Sequence, residues 1–224
     1  MSSDKSTPRF LGAAFLLQAI ASLVSGLFLL QPLTESGNVS AIMQAFAANV
    51  VQARASIVGE MITAIGIVML GALLYLTLKR EDERIALVAM GLYLVEATIL
   101  VVSRIPVFLL LLVSQEAGTA ADPAYLQTLG RLFYESQDFG YSLHMVPFAL
   151  GATLFYYLFF KSRLIPRWLS IWGLIAAPAA LVGMVFVLFG FTVPIIVFLP
   201  NLPFELTIGV WLLVRGTPES SNTR

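Results

Sequence analysis

Residues 79–113 read KREDERIALVAMGLYLVEATILVVSRIPVFLLLLV: a charged cluster from Lys79 to Arg84, then roughly 29 mostly apolar residues from Ile85 to Val113. At a helical rise of about 1.5 Å per residue, that run is long enough to cross a bilayer with some tilt. Within it stand Glu96 and Arg104. Glu96 lies about 12 residues, or roughly 18 Å, past Arg84, which puts it near the bilayer midplane. A charge there costs about 2.5–3.5 kcal/mol on insertion scales, so a buried acid in a span needs a partner or a bound proton. The identity of that partner decides how the other polar residues are read.

Composition points to the same class. The chain of 224 residues is 58% hydrophobic and only 12% charged, whereas soluble domains carry about 25% charged residues. This is the profile of an all-α, polytopic integral membrane protein. The formal net charge is zero, which gives no footprint for nucleic acid. With no cysteine there are no disulfides, thiolate metal sites or cysteine nucleophiles. The length suits one helical membrane domain over residues 1–216, followed by a polar tail at 217–224 expected to be disordered.

Outward from the opening stretch, five further spans are expected. Phe10–Leu30 is about 21 apolar residues, too long for a signal-peptide core, and is read as a first span with Gln18 near its middle. Its small residues, among them Gly12, Ala14, Ser25 and Gly26, allow close helix approach. Between it and the second span, Val39, Ile42, Met43, Phe46 and Val50 recur at helical spacing, predicting a short amphipathic helix on the membrane surface. The second span, Ala55–Leu78, holds Glu60 near its start. In the third, Pro106 should bend the helix near its far end. Asp122-Pro123 then has the form of a cap followed by proline at the first helical position, and Leu126, Leu129, Leu132 and Phe133 mark a second surface helix over Pro123–Glu135.

The fourth span, Asp138–Phe160, contains His144 and ends in Tyr156, Tyr157 and Lys161, read as an interfacial aromatic-then-basic anchor. A turn through Arg163 and Pro166 leads to a fifth span ending near Gly190. The last segment carries Pro194, Pro200 and Pro203. Asn201–Arg215 alone would be only about 20 Å long, so it is either part of a kinked span or a half-helix fed by irregular chain. Six spans place both termini on one side. Of the 13 Lys and Arg residues, all but Arg54, Arg104 and Arg131 fall on the terminal side. By the positive-inside rule both termini are cytoplasmic, in the plasma membrane, and the two surface helices lie outside.

Several short motifs carry a family resemblance. They are Arg9-Phe-Leu-Gly, Asp138-Phe-Gly-Tyr, Leu164-Ile-Pro-Arg-Trp-Leu-Ser-Ile-Trp-Gly173, Pro203-Phe-Glu and Val210-Trp-Leu-Leu-Val-Arg-Gly216. Together they resemble the bacterial membrane proteins of domain-of-unknown-function family 4386, over nearly the whole chain. The resemblance implies a bacterial inner-membrane architecture. It transfers no site residues and no biochemical role.

The candidate ligand-binding residues are Gln18, Glu60, Glu96, Arg104, His144 and Glu205. Gln18, Glu96 and Glu205 lie at mid-depth, whereas Glu60, Arg104, His144 and Asp138 lie nearer the outer surface. Such residues usually face the bundle interior or a water-filled cavity, which suggests one polar pocket open to the outside. Each also has a structural reading. Arg104 could snorkel to the interface, Glu60 could be an outer-edge acid, and His144 an interfacial residue. Gln18 could be interhelical glue, and Glu96 and Glu205 protonated acids bonded across helices.

A single histidine argues against a zinc hydrolase, and no metal site is expected. No phosphate-binding loop, dinucleotide turn or nucleophile elbow is present, and no lysine lies within a span to form a retinal Schiff base, so no cofactor is expected. Three functions stay open. The first is binding of a small amphiphile or lipid, with membrane lipids as partners, in an outward-facing intramembrane pocket. The second is acid/base catalysis by Glu96 and Glu205 on a hydrophobic lipid or isoprenoid substrate. The third is transport through a small carrier with a proline-broken last span.

Overall fold

The structure, a computed structural model, describes residues 6–118 and 123–215. The polar tail at 217–224 and the cap residue Asp122 lie outside the described residues. Those described form helices joined by short turns, with no strand among them. Six of the helical segments are long and apolar enough to cross a membrane. They begin at Pro8, Val50, Glu83, Ala124, Arg167 and Ile195, each close to a start expected from hydropathy except the fourth.

In chain order the helices are α1 (Ser6–Leu23), α2 (Gln31–Thr34), α3 (Val39–Ala48), α4 (Val50–Leu78), α5 (Glu83–Val102), α6 (Arg104–Ala117), α7 (Pro123–Ser162), α8 (Arg167–Leu188) and α9 (Asn201–Arg215). A π-helical stretch, Val24–Leu30, joins α1 to α2 within the first span. Around the bundle the neighbours run α1, α4, α5, α7, α8, α9 and back to α1. The contact between α8 and α9 is the slightest of these. The start of α1 lies against the end of α9: a Cβ built on Gly12 would stand 2.5 Å from the Leu213 nitrogen and 2.7 Å from the Gly209 carbonyl oxygen. Both described chain ends therefore share one end of the bundle. The α4–α5 turn reaches that end too, where Lys161 donates to the Glu81 carbonyl at 2.9 Å.

Two apolar cores hold the spans together. The larger, built on Phe15, Leu74, Tyr93, Phe155, Phe159 and Phe204, fills the terminal half of the bundle. The smaller, with Leu33, Ile42, Phe46, Val107 and Leu111, closes the far end beneath α3. Asn38 caps α3 by accepting from the Ser40 N–H at 2.9 Å, and α3 turns Ile42, Met43 and Phe46 into this core. That agrees with the amphipathic helix read from the sequence.

The second expected surface helix is not a separate element. Pro123 does open a helix, but it runs unbroken for 40 residues to Ser162, about 60 Å, roughly twice the hydrocarbon thickness. Nothing between Glu135 and Asp138 breaks it, so the fourth helix starts well before Asp138. Leu126 and Phe133, two of the residues that marked the expected surface helix, pack on the core beneath α3. Gly130 makes room for Met43 there. Arg131 and Glu135 form an exposed i,i+4 ion pair at 3.5 Å on the opposite side.

Pro106 has the expected effect one turn upstream. It lacks the N–H that would bond the Val102 carbonyl and its ring crowds that carbonyl. The helix breaks there, and Ser103 separates α5 from α6. The last span is irregular ahead of α9. Residues 191–194 are non-helical, a single 3-10 turn covers Ile195–Val197, and the 15-residue α9 follows.

Candidate functional site

The polar side chains inside the bundle fall into two groups about 10 Å apart along α1, following the seven-residue step from Gln18 to Ser25. The first lies at mid-depth. Gln18 on α1 donates through Nε2 to Glu205 Oε2 on α9 at 2.9 Å. Gly66 on α4 gives Gln18 its space, since a Cβ there would lie 2.9 Å from the Gln18 Cβ. Glu96 on α5 is 4% exposed, and its Oε2 has no hydrogen-bond partner among the described residues. Glu96 and Glu205 are near enough for their charges to interact.

Two tyrosines complete this group, and sequence reading missed both. Tyr93 sits one turn before Glu96 on the same face of α5 and is buried in the notch left by Gly71 and Gly151. Tyr156 was expected at the membrane interface. The structure corrects this: it is 1% exposed, its ring meets Phe204 edge-on at 4.6 Å, and only its neighbour Tyr157 faces outward. Both tyrosines interact electrostatically with Glu96 and Glu205. The Tyr93 and Tyr156 hydroxyls lie close enough to interact with each other. Tyr93 carried a readable signal, its i,i+3 spacing to Glu96. Tyr156 carried none, because its inward azimuth comes from packing against α8 and α9.

The second group lies toward the far end. Ser25, in the π-helical stretch, donates to Glu60 Oε1 on α4 at 2.9 Å. The wider turn of a π-helix exposes backbone carbonyls, a feature common at functional sites. Gln52 on α4 fills one of them, donating to the Leu29 carbonyl at 2.9 Å. Across from Glu60, Arg104 begins α6. It is 4% exposed, so it does not snorkel outward. Its Nη2 donates to Ser103 Oγ at 3.1 Å and its Nε has no partner. Gly140 on α7 packs on Ser103, a Cβ there falling 2.5 Å from the Ser103 Cβ, and this brings Tyr141 and His144 against Arg104. The His144 ring turns toward the carbonyls of Gly140 and Tyr141 without an aligned hydrogen bond at Nδ1. Its ring centroid is 4.8 Å from that of Tyr141, edge to face.

Opposite charges thus lie within this group without forming an ion pair. Glu60 and Arg104 attract electrostatically, yet no Arg104 nitrogen comes within 4.0 Å of a Glu60 oxygen. Among the described residues the one ion pair is Arg131–Glu135. Nor does any cluster of three or more His, Asp or Glu gather there to hold a metal. Asp138, placed with this layer by depth, is exposed on α7. Separately, an apolar groove of about 500 Å³ runs between α8 and residues 191–199, walled by Pro178, Val182, Phe186, Val193 and Val197.

The chain belongs to a family of membrane-span-like proteins: the model described as "Domain of unknown function (DUF4386)" matches residues 10–216. The match takes in all six spans. No curated protein and no solved structure matches the chain.

Proposed function

We propose that this DUF4386 protein binds a small amphiphile or lipid through the polar groups inside its bundle, reached from the outer face of a bacterial plasma membrane with both termini cytoplasmic. The observation that carries this reading is a pair of buried polar atoms left without partners among the described residues, Glu96 Oε2 and Arg104 Nε. An unsatisfied buried polar atom costs about 1–3 kcal/mol, more for a charged group. Such atoms in a native interior call for a further partner. A ligand whose polar head satisfies them, and whose chain stays in hydrocarbon, supplies that partner without charging the bilayer.

The test is delipidation. Protein purified in mild detergent is washed with excess detergent, then extracted and analysed by mass spectrometry. The expected result is about one amphiphile per chain that resists washing, with retention lost in Glu96→Leu and in Arg104→Gln. Complete loss from the wild-type protein, with no change in thermal stability on adding lipid back, overturns the reading.

Transport is a second reading, and α9 is what favours it. A half-helix fed by irregular chain and carrying Glu205 in its second turn is a common way to present a binding site at mid-depth. Solute flux into proteoliposomes decides for it. Turnover of an added lipid or isoprenoid would instead assign Glu96 and Glu205 to acid/base catalysis.

A further inference from the structure

Residues 191–199 combine apolar side chains with backbone that the chain leaves unbonded. α9 covers about 22 Å from the terminal end. Of a hydrocarbon layer about 30 Å thick, roughly 8 Å at the far end is therefore left to the irregular segment ahead of it. There the N–H groups of Thr192, Val193, Ile195 and Ile196 have no acceptor among the described residues. Phe191, Ile195 and Ile196 are exposed, so the bundle does not cover them. Water would satisfy such donors in a surface loop, but hydrocarbon does not.

The groove of about 500 Å³ lies beside this segment. Val193 and Val197 form one wall, and Ala179, Val182 and Phe186 of α8 the other. Gly183 seats the segment on α8: a Cβ there would stand 3.0 Å from Val197 Cγ1 and 3.1 Å from Phe198 Cζ. Ala179, Val182 and Phe186 are exposed, so the groove is open along about 10 Å of α8. Val193 thus walls an apolar groove and also carries a donor without an acceptor. A helix of a second copy could press side chains into the groove, but its carbonyls are engaged in its own hydrogen bonds and would leave these donors unmet.

We propose that the groove between α8 and residues 191–199 holds one acyl chain of a membrane lipid, whose ester carbonyl accepts from the free N–H groups of the segment. The chain is an apolar rod that matches the walls. Its carbonyl sits where chain meets head group, at the edge of the hydrocarbon, which is the depth of residues 191–196. The site lies on the outside of α8, apart from the polar groups within the bundle, and does not depend on their binding a ligand. Because the groove is open, its lipid exchanges and is measured by titration rather than by retention through washing.

Wild-type protein in mild detergent is titrated with palmitoyl-lysophosphatidylcholine and with its hexadecyl ether analogue, which keeps the head group and chain but lacks the ester carbonyl. Bound lipid is counted by native mass spectrometry. The ester should bind about fivefold more tightly than the ether, the usual effect of one hydrogen bond. Ala179→Trp fills the groove from an exposed position and should weaken the ester about tenfold by displacing the chain. Ile175→Trp, one turn away on the exposed side of α8 and outside the groove, should leave it unchanged. Equal binding of ester and ether, or equal binding by the two tryptophan variants, overturns the inference. So does a wild-type dimer that Ala179→Trp converts to a monomer without loss of lipid, which would make the groove an interface between copies. Far-UV circular dichroism and thermal unfolding check that the variants fold. Should Ala179→Trp fail that check, Val182→Trp fills the same groove from its own exposed position and decides instead.

Discussion

The Gln18 amide and the Glu205 carboxylate meet at 2.9 Å, 187 positions apart in the chain, and tie the first span to the last at mid-depth. The bond is also what joins α9, a short helix with little contact to α8, to the mid-depth polar group.

Removing the donor should therefore destabilise the fold. Gln18→Leu leaves a buried carboxylate oxygen unsatisfied and should cost about 1–3 kcal/mol. Glu205→Gln, which can still accept from Gln18, should cost less. Thermal unfolding in detergent ranks the two, and a Glu205→Gln protein less stable than Gln18→Leu would contradict the pairing.

The α1–α9 contact should be intolerant of any side chain at Gly12. A methyl there meets backbone at Leu213 and Gly209, which cannot rotate away, so Gly12→Ala should destabilise by about 1–3 kcal/mol and Gly12→Val by more. Gly91 is the control, because a Cβ there meets nothing within 4 Å. Melting temperatures of Gly12→Ala and Gly91→Ala should move apart. Equal shifts would mean that the helices do not approach as described.

Tyr156 separates stability from function. Its hydroxyl is buried beside that of Tyr93, so Tyr156→Phe should cost no more than about 1.5 kcal/mol of stability. The same variant should retain less amphiphile after washing if that hydroxyl serves a ligand. A loss of stability with no change in retained lipid would assign Tyr156 a purely structural bond.

Orientation is testable because the chain has no cysteine. Ser40→Cys on α3, at the far end, should react with an impermeant thiol reagent added to intact cells. Ser162→Cys, beside Lys161 at the terminal end, should react only after the membrane is opened. The opposite pattern would invert the topology.

Part of the site was legible in one dimension only. Depth along each span follows from counting residues from the basic anchors, and it put Gln18 level with Glu205, which it meets across the bundle. Azimuth did not follow. Tyr156 and Tyr157 are adjacent, one buried and one exposed, and a helix turns about 100° per residue. In a soluble helix, polar residues mark the outer face. In a membrane span both faces are apolar, so that mark is erased.

What the sequence determined by itself was the number of apolar helices long enough to span, the placement of all but the fourth, and the bend caused by Pro106. These are set by hydrocarbon thickness and by proline's missing N–H, which act within a single segment. Only the tertiary structure decided that Pro123–Ser162 is one helix, that Tyr156 is buried while Tyr157 is exposed, and that Gln18 reaches Glu205. Each of these depends on which helices are neighbours and how closely glycines let them approach, and neighbour choice among uniformly apolar helices is a property of packing rather than of any one segment.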